Sequence, residues 1–382
     1  MTPFVKPGAG ALYRDLGATA VRDAMADAGI AYADIEQAFV GYVYGDSTSG
    51  QSALYEVGLT GIPIINVNNN CSTGSSALYL ARQAVASGAA ECALALGFEQ
   101  MNPGALQELY TDRPSPLARF TDIADATVDT ANAPMALKLF GAAGMEYQSK
   151  YGTRNETFAK VTVKARRHAQ HNQRAIFRNL VTVEEVLESK HMLGPITRLQ
   201  CCPPTCGGAA AVVVSEAFAK RRGLNANVAI RGQALTTDFL STFDSRSLIK
   251  VVGSEMSAVA ARSVYEQAGV GPEDIDVVEL HDCFTSNEIL SYEALGLAAE
   301  GGAEKFIEDG DNTYGGKVVV NPSGGLLSKG HPLGATGLAQ CAELVWQLRG
   351  EAGTRQVEAA RLALQHNIGI GGACVVTLYE RI

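Results

Sequence analysis

Apolar positions along the chain follow two alternating rules. One is the three-to-four spacing of a helix buried on one face. The other is the short continuous apolar run, bounded by turn residues, of a buried strand. The stretch around Ala18-Thr-Ala20-Val-Arg22 has helical spacing up to Gly29, and Ala38-Phe39-Val40 follows as a strand. The same succession returns at a separation of 240 residues. Ala18–Arg22 matches Ala258-Val-Ala260-Ala-Arg262, Ala28-Gly29-Ile30 matches Ala268-Gly269-Val270, and Asp34-Ile35 matches Asp274-Ile275. Both copies predict a helix, a glycine C-cap, a turn and a strand, the second strand being Val277–Leu280.

The next elements correspond as well. Ile64–Val67 predicts a strand, followed by a turn holding Cys71, a helix from Ser75 to Ser87 and a strand over Cys92–Gly97. In the second copy come Val318–Val320, a glycine-rich turn holding His331, a helix from Ala335 to Leu348 and a strand over Arg361–Gln365. Strands alternating with helices predict an α/β fold with parallel pairing through right-handed crossovers. The period is too long for a solenoid, so two pseudo-symmetric layers from a duplication are expected. Residues 1–115 and 207–240 are assigned to the first half and 241–382 to the second. Residues 116–206 have no counterpart. With Pro116, Pro134, Pro195 and a basic helical stretch from Lys160 to Arg178, they predict an inserted subdomain over the core.

Composition narrows the choices. With 382 residues, 47% hydrophobic and 19% charged, the chain can bury a large core and is not disordered. A net charge of −9 argues against sequence-wide attraction to nucleic acid or anionic lipid. No apolar run approaches the roughly 20 residues of a membrane helix. Met1-Thr2-Pro3-Phe4 does not open a signal peptide, and the last residues are not a peroxisomal address. A cytoplasmic protein is expected, with peroxisomal delivery by some other signal as the alternative. Eight cysteines are too few for a disulfide scaffold. Cys201, Cys202 and Cys206 lack the second ligand pair of a zinc site, so no metal is expected and these read as buried or cleft-lining thiols.

Four places offer chemistry. Cys71, in Asn68-Asn69-Asn70-Cys71-Ser72-Thr73-Gly74, sits where a strand gives way to a helix. A helix N-terminus favours thiolate, which suits a nucleophile. His281-Asp282-Cys283-Phe284 follows a strand directly, at the carboxyl end where parallel sheets bind ligands. His331 lies in Gly330-His331-Pro332-Leu333-Gly334-Ala335-Thr336-Gly337, after Asn321-Pro322-Ser323-Gly324-Gly325. Held rigid before a proline and opposite Cys71 by pseudo-symmetry, it is a candidate base for a thiol. Asn367-Ile368-Gly369-Ile370-Gly371-Gly372 is a turn that can aim backbone N–H groups into a cleft.

Together these motifs resemble the thiolase family over the whole chain except its first strand. Gly-His-Pro-x-Gly-Ala-Thr-Gly after an Asn-x-x-Gly-Gly stretch carries most of the resemblance. Thiolases usually have Asn-Glu-Ala-Phe where this chain has His281–Phe284, and a second cysteine where this chain has Asn367. Both departures resemble the sterol-carrier-protein type of thiolase. The resemblance implies a thiolase fold: a layered sandwich of mixed sheets with an inserted loop domain. Thiolases open with a strand before a Thr-Pro-Phe-like turn, whereas this sequence begins at the turn, so either its start is misassigned or the sheet lacks a strand; four strands are expected in the first sheet if the start is genuine. It further implies cleavage of 3-ketoacyl-CoA to acetyl-CoA or propionyl-CoA and a shortened acyl-CoA, with CoA as substrate and no permanently bound cofactor. Cys71 would be the nucleophile and His331 its base. His281 and His331 would hold the enolate, Cys71 and Gly369 N–H groups the attacked carbonyl, and Cys283 would be the second acid/base. Cys374 is a rival for that thiol, though its apolar surroundings predict a core strand. Phosphate contacts are expected from the basic run, with Lys164, Arg166, Arg167 and Arg174 as candidates beside Lys160 and Arg178. A homodimer or homotetramer is implied, with Cys92–Phe98 or the segment entering Cys71 at the contact.

Three rival functions share parts of this pattern. A decarboxylating ketosynthase-like enzyme would use a cysteine and two histidines but has no need of Cys283. A retro-aldolase acting with a partner protein would not need an acyl-cysteine. A non-catalytic acyl-CoA or sterol-binding protein would not need a reactive thiol.

Overall fold

The computed structural model describes residues 1–10, 12–104, 106, 108, 110–130 and 133–382. The first sheet contains β1 (Gln37–Gly41), β2 (Ile64–Val67), β3 (Cys92–Glu99) and β6 (Gly207–Val214), in the order β2-β1-β3-β6. The insertion contributes the small hairpin β4 (His191–Leu193) and β5 (Ile196–Thr197). The second sheet contains β7 (Val228–Thr236), β8 (Val277–Glu279), β9 (Val319–Val320), β10 (Leu362–Gly369) and β11 (Ala373–Arg381), in the order β7-β11-β10-β8-β9. β1 pairs parallel with β2 and β3, and β8 pairs parallel with β9 and β10. β3–β6 and β10–β11 are antiparallel, so both sheets are mixed in the same places. The first sheet has the expected four strands.

The repeat holds down to single caps. Helix Tyr13–Ala28 ends at Gly29 with φ 68°, and helix Ser254–Ala268 ends at Gly269 with φ 70°. Each glycine supplies the left-handed conformation that L-residues resist. A 3-10 turn follows in each copy, and Asp34 and Asp274 accept the equivalent backbone N–H groups of Ala31 and Gly271 at 2.9 and 2.8 Å.

Alternation along β3 shows how the layers form. Ala93 and Ala95 face the interior between the sheets, whereas Leu94, Leu96 and Phe98 pack on the opposite face with Ala20 and Val21 of the first helix. The interior layer holds two helices, Thr73–Ala86 and Thr336–Arg349, through Ala77, Leu78 and Ala81 of one and Leu338, Ala339 and Leu344 of the other. Helix Ser254–Ala268 covers the outer face of the second sheet through Met256, Ala260 and Val264. Small residues on the inner face let these layers approach closely.

Two boundaries expected from sequence need correction. β7 lies within the 207–240 segment assigned to the first half, yet it pairs antiparallel with β11 and belongs to the second sheet. Residues 116–206 do not form a core of their own. Phe140, Tyr147, Phe158 and Ile196 share one hydrophobic cluster with Phe284, Ile289 and Tyr292 of the second half. Among the described residues, no helix is long and apolar enough to cross a membrane.

Candidate active site

Two turns meet at the inner ends of the central helices. Cys71 lies at the end of β2's exit loop, just before helix Thr73–Ala86, and His331 lies just before helix Thr336–Arg349. Glycines bring them together. A Cβ on Gly74 would stand 2.5 Å from Gly334 O, and one on Gly97 would stand 2.0 Å from the same oxygen. No side chain fits between these backbones, so the two turns touch directly. The thiol of Cys71 and ring nitrogens of His281 and His331 consequently lie within 4.8 Å of one another, all buried.

Backbone and side-chain bonds hold each member. Asn70 adopts φ 51°, a conformation asparagine tolerates, and its Nδ2 donates to Ile370 O at 3.1 Å. Ser72 and Thr73 hydroxyls fold back onto Asn69 O and Asn70 O, closing the Cys71 turn. His331 N–H donates to Thr205 Oγ1 at 3.1 Å. Thr336 gives its hydroxyl hydrogen to Pro332 O at 3.0 Å, so the 2.7 Å contact with His331 Nδ1 is a bond from Nδ1–H to Thr336 Oγ1. Nε2 of His331 therefore carries a lone pair. It is buried and has no hydrogen-bond partner. His281 has the opposite arrangement. Its Nδ1 accepts from Asn367 Nδ2 at 2.9 Å, which leaves the proton on Nε2. The two rings stand edge to face at 5.1 Å between centroids.

Desolvation governs the charges. Burial, with a contribution from Glu99, pushes the Cys71 thiol up to about 12, and backbone hydrogen bonds from Cys71 itself and Ile370 oppose it. Burial holds His331 down to about 3 and keeps His281 well below its ordinary value, the other histidines adding to the effect. The helix end, which favours thiolate by about 0.3–1 kcal/mol, is opposed at Cys71 by burial.

Cys283 is buried, and burial raises its thiol well above the ordinary value, with Cys202, Cys71 and Asp282 adding to it. Asp282 accepts Leu326 N–H at 2.7 Å and Leu327 N–H at 3.3 Å, which anchors the loop to the 321–328 turn. Cys202, expected from sequence to be a buried or cleft-lining thiol, borders the site. Its N–H donates to Cys283 O at 2.9 Å, and the neighbouring Pro204 bridges to His331. The Cys-Cys-Pro-Pro run thus lines the cleft between the two catalytic loops. Cys374 lies in β11, fully buried, 3.5 Å from the Ser257 hydroxyl. Gly369 presses on the Cys71 loop, since a Cβ there would be 2.0 Å from Asn69 O. The N–H that reaches the Cys71 sulfur from this turn belongs to Ile370.

The basic run is largely withdrawn from phosphate contact. Lys164 is buried in an ion pair with Glu288 and lies 3.2 Å from Tyr292 OH. Arg166 is buried, stacked 4.3 Å over Phe177 and bonded to Asn179 Oδ1 at 3.0 Å. Both depart from the sequence expectation because this helix packs on more than one side. Arg174 lies 4.6 Å over Trp346, Lys160 pairs with Glu308, and Arg178 bonds Gln173. Arg167 is exposed. A narrow apolar crevice of about 10 Å³, room for about one water, opens beside Gly369, lined by Leu139, Val251, Val252, Met256 and Ile368. Cys71, His281 and His331 carry atoms that could ligate a metal, but a protonated Nε2 on His281 offers a donor rather than a lone pair.

Comparison with known proteins gives the family. Residues 1–217 match the model of the thiolase N-terminal domain, and 241–379 match that of the thiolase C-terminal domain-like family. Sterol carrier protein 2 of Homo sapiens is 55% identical over all of this chain and 70% of its own length. Acetyl-CoA acetyltransferase of Methanothermobacter thermautotrophicus is 36% identical over 97% of this chain and 94% of its own. Among solved structures, an Ltp2-ChsH2(DUF35) aldolase superposes with a TM-score of 0.83 at 25% identity, covering 100% of this chain and 95% of its own. Human mitochondrial 3-ketoacyl-CoA thiolase superposes at 0.74 and 17% identity, over 100% and 97%. The chain is a member of the thiolase family.

Proposed function

We propose that this protein cleaves 3-ketoacyl-CoA with CoA, releasing acetyl-CoA or propionyl-CoA and an acyl-CoA shortened accordingly. The observation that carries the reading is the opposed state of the two imidazoles around one thiol. His331 turns a lone pair, and His281 a proton, toward the space beside Cys71.

In the forward reaction His331 Nε2 takes the Cys71 proton as sulfur attacks the ketone carbon. Thiolate and imidazolium form side by side, so each offsets the charge that burial penalises in the other. The backbone N–H groups of Cys71 and Gly369 hold the oxyanion at the attacked carbon. The carbon–carbon bond then breaks, its electron pair passing to an enolate whose oxygen is held by His281 Nε2–H and the newly formed His331 Nε2–H. Cys283 gives its proton to the enolate carbon, and acetyl-CoA or propionyl-CoA leaves. Incoming CoA returns a proton to Cys283 and attacks the acyl-sulfur bond. His331 finally returns the proton to Cys71. Within the basic run Arg167 and Arg178 are exposed, Arg178 bonding only the neutral Gln173, so these two are the cations we assign to CoA phosphate.

Cys283 counts against a decarboxylating condensing enzyme, because decarboxylation supplies the carbanion without a second thiol base. The similarity to an aldolase complex keeps retro-aldol cleavage as the second reading. It leaves the Cys71 thiol without work as an acyl acceptor. A thiolysis assay across straight-chain, 2-methyl-branched and steroid-side-chain 3-ketoacyl-CoAs separates them. CoA-dependent turnover supports thiolysis; aldehyde or ketone release from a 3-hydroxyacyl-CoA without CoA supports the aldolase. We further propose a homodimer. β3 is flanked by β1 and β6 and has no free edge, whereas β2, the strand entering Cys71, is an edge strand with Ile65 exposed.

A further inference from the structure

The proton on His281 Nε2 is selected by a chain of buried polar groups that reaches from the second sheet, through the first-half helix, back to the site. Its fixed point is a backbone carbonyl, which can only accept. Gln365 lies 2.7 Å from Gly337 O, so the atom there is Nε2 and its other hydrogen points to Ser75 Oγ at 2.8 Å. Gln365 Oε1 is left to accept the Tyr379 hydroxyl. Ser75 has one hydrogen, and the acceptor in reach is Asn367 Oδ1 at 2.8 Å. With its oxygen committed, Asn367 must turn Nδ2 toward His281 Nδ1. An imidazole that accepts at Nδ1 carries its proton on Nε2. Every member from Ser75 to Tyr379 is buried to within about 1% of complete, so water does not compete for these bonds.

We propose that Ser75, Gln365, Asn367 and Tyr379 are positioning residues that lock His281 as an oxyanion donor, and so make it the opposite of His331. Without the lock, Asn367 could turn its oxygen toward His281, move the proton to Nδ1, and leave a bare Nε2 facing the enolate oxygen where a donor is needed. Ser75 is the pivot. It lies on the helix that begins beside Cys71, while Gln365 and Asn367 lie on β10, so the two halves of the molecule meet in one tautomer. The proposal rests on the thiolase reading for its catalytic consequence, but the tautomer itself is independent of substrate.

The test uses the full-length protein with ¹⁵N-labelled histidine. Nitrogen–proton correlation spectra report which ring nitrogen of each of the six histidines is protonated, with His281→Gln and His331→Gln assigning the signals. Wild type should show His281 protonated at Nε2 and His331 at Nδ1. Ser75→Ala should show both His281 tautomers, with His331 unchanged, and about a fivefold lower kcat for thiolysis, the loss expected for one hydrogen bond, at unchanged KM for CoA. Asn367→Asp, whose carboxylate can only accept, should put a proton on His281 Nδ1. A wild-type His281 protonated at Nδ1 overturns the proposal. So does a Ser75→Ala protein that keeps the single tautomer, whatever its rate, or one whose tautomers mix without loss of kcat. A wild type with the stated tautomers and no thiolysis would instead contradict the functional reading and leave the lock standing.

Discussion

A thiol held near 12 is almost wholly protonated at neutral pH. Its thiolate fraction rises about tenfold with each pH step below that value, so alkylation of Cys71 by iodoacetamide should climb steadily from pH 6 to 9. Rates followed by peptide mapping test this, and a plateau from pH 6 upward would mean a resting thiolate–imidazolium pair. The two working thiols separate by substitution. Cys283→Ala should still acylate at Cys71 from a pre-activated acyl-CoA but lose thiolysis by about 10²–10⁴, the usual contribution of an acid–base group. Cys374→Ala should stay near wild type, since its sulfur lies inside β11. Steady-state rates showing the reverse order would move the second base to the C-terminal strand.

At the scale of elements, glycines set the approach of the two catalytic turns. Gly97→Ala would drive a methyl into Gly334 O, three residues beyond His331. Overpacking of this kind costs about 1–3 kcal/mol, so both melting temperature and kcat should fall. The helix Asn155–Ala169 offers a contrasting case. Removing one partner from a buried ion pair costs about 3–5 kcal/mol, so Lys164→Met should destabilise the protein strongly. Chemical denaturation measures it, and a loss confined to CoA affinity would return Lys164 to a phosphate role. These cases show what the sequence could carry. Cys71, His281, Cys283 and His331 were legible because each follows a strand or opens a helix beside Gly or Pro. The 240-residue repeat pointed to two similar layers with parallel pairing. Ser75 and Gln365 were not legible, because they lie 290 residues apart in the chain. Lys164 misled because a charge run says nothing about which sides of its helix are covered.

The whole molecule is two similar sheets locked face to face by two helices, whose ends meet at the candidate site. Neither half holds a complete site: Cys71 comes from the first, and His281, Cys283 and His331 come from the second. β2 leads straight to Cys71 and has an open edge, so assembly through it would brace the nucleophile's loop. Light scattering should give about twice the 40.2 kDa chain mass, and Ile65→Lys should shift the protein toward the monomer. A monomer in the unaltered protein would contradict that arrangement. The most direct test of the mechanism is a single turnover without free CoA. Protein in excess is mixed with a straight-chain 3-ketoacyl-CoA, quenched, and followed by intact mass and peptide mapping. The account predicts one acyl group on Cys71 for each acetyl-CoA released. Acetyl-CoA release with no adduct, or an adduct on Cys283 or Cys374 instead, would contradict it.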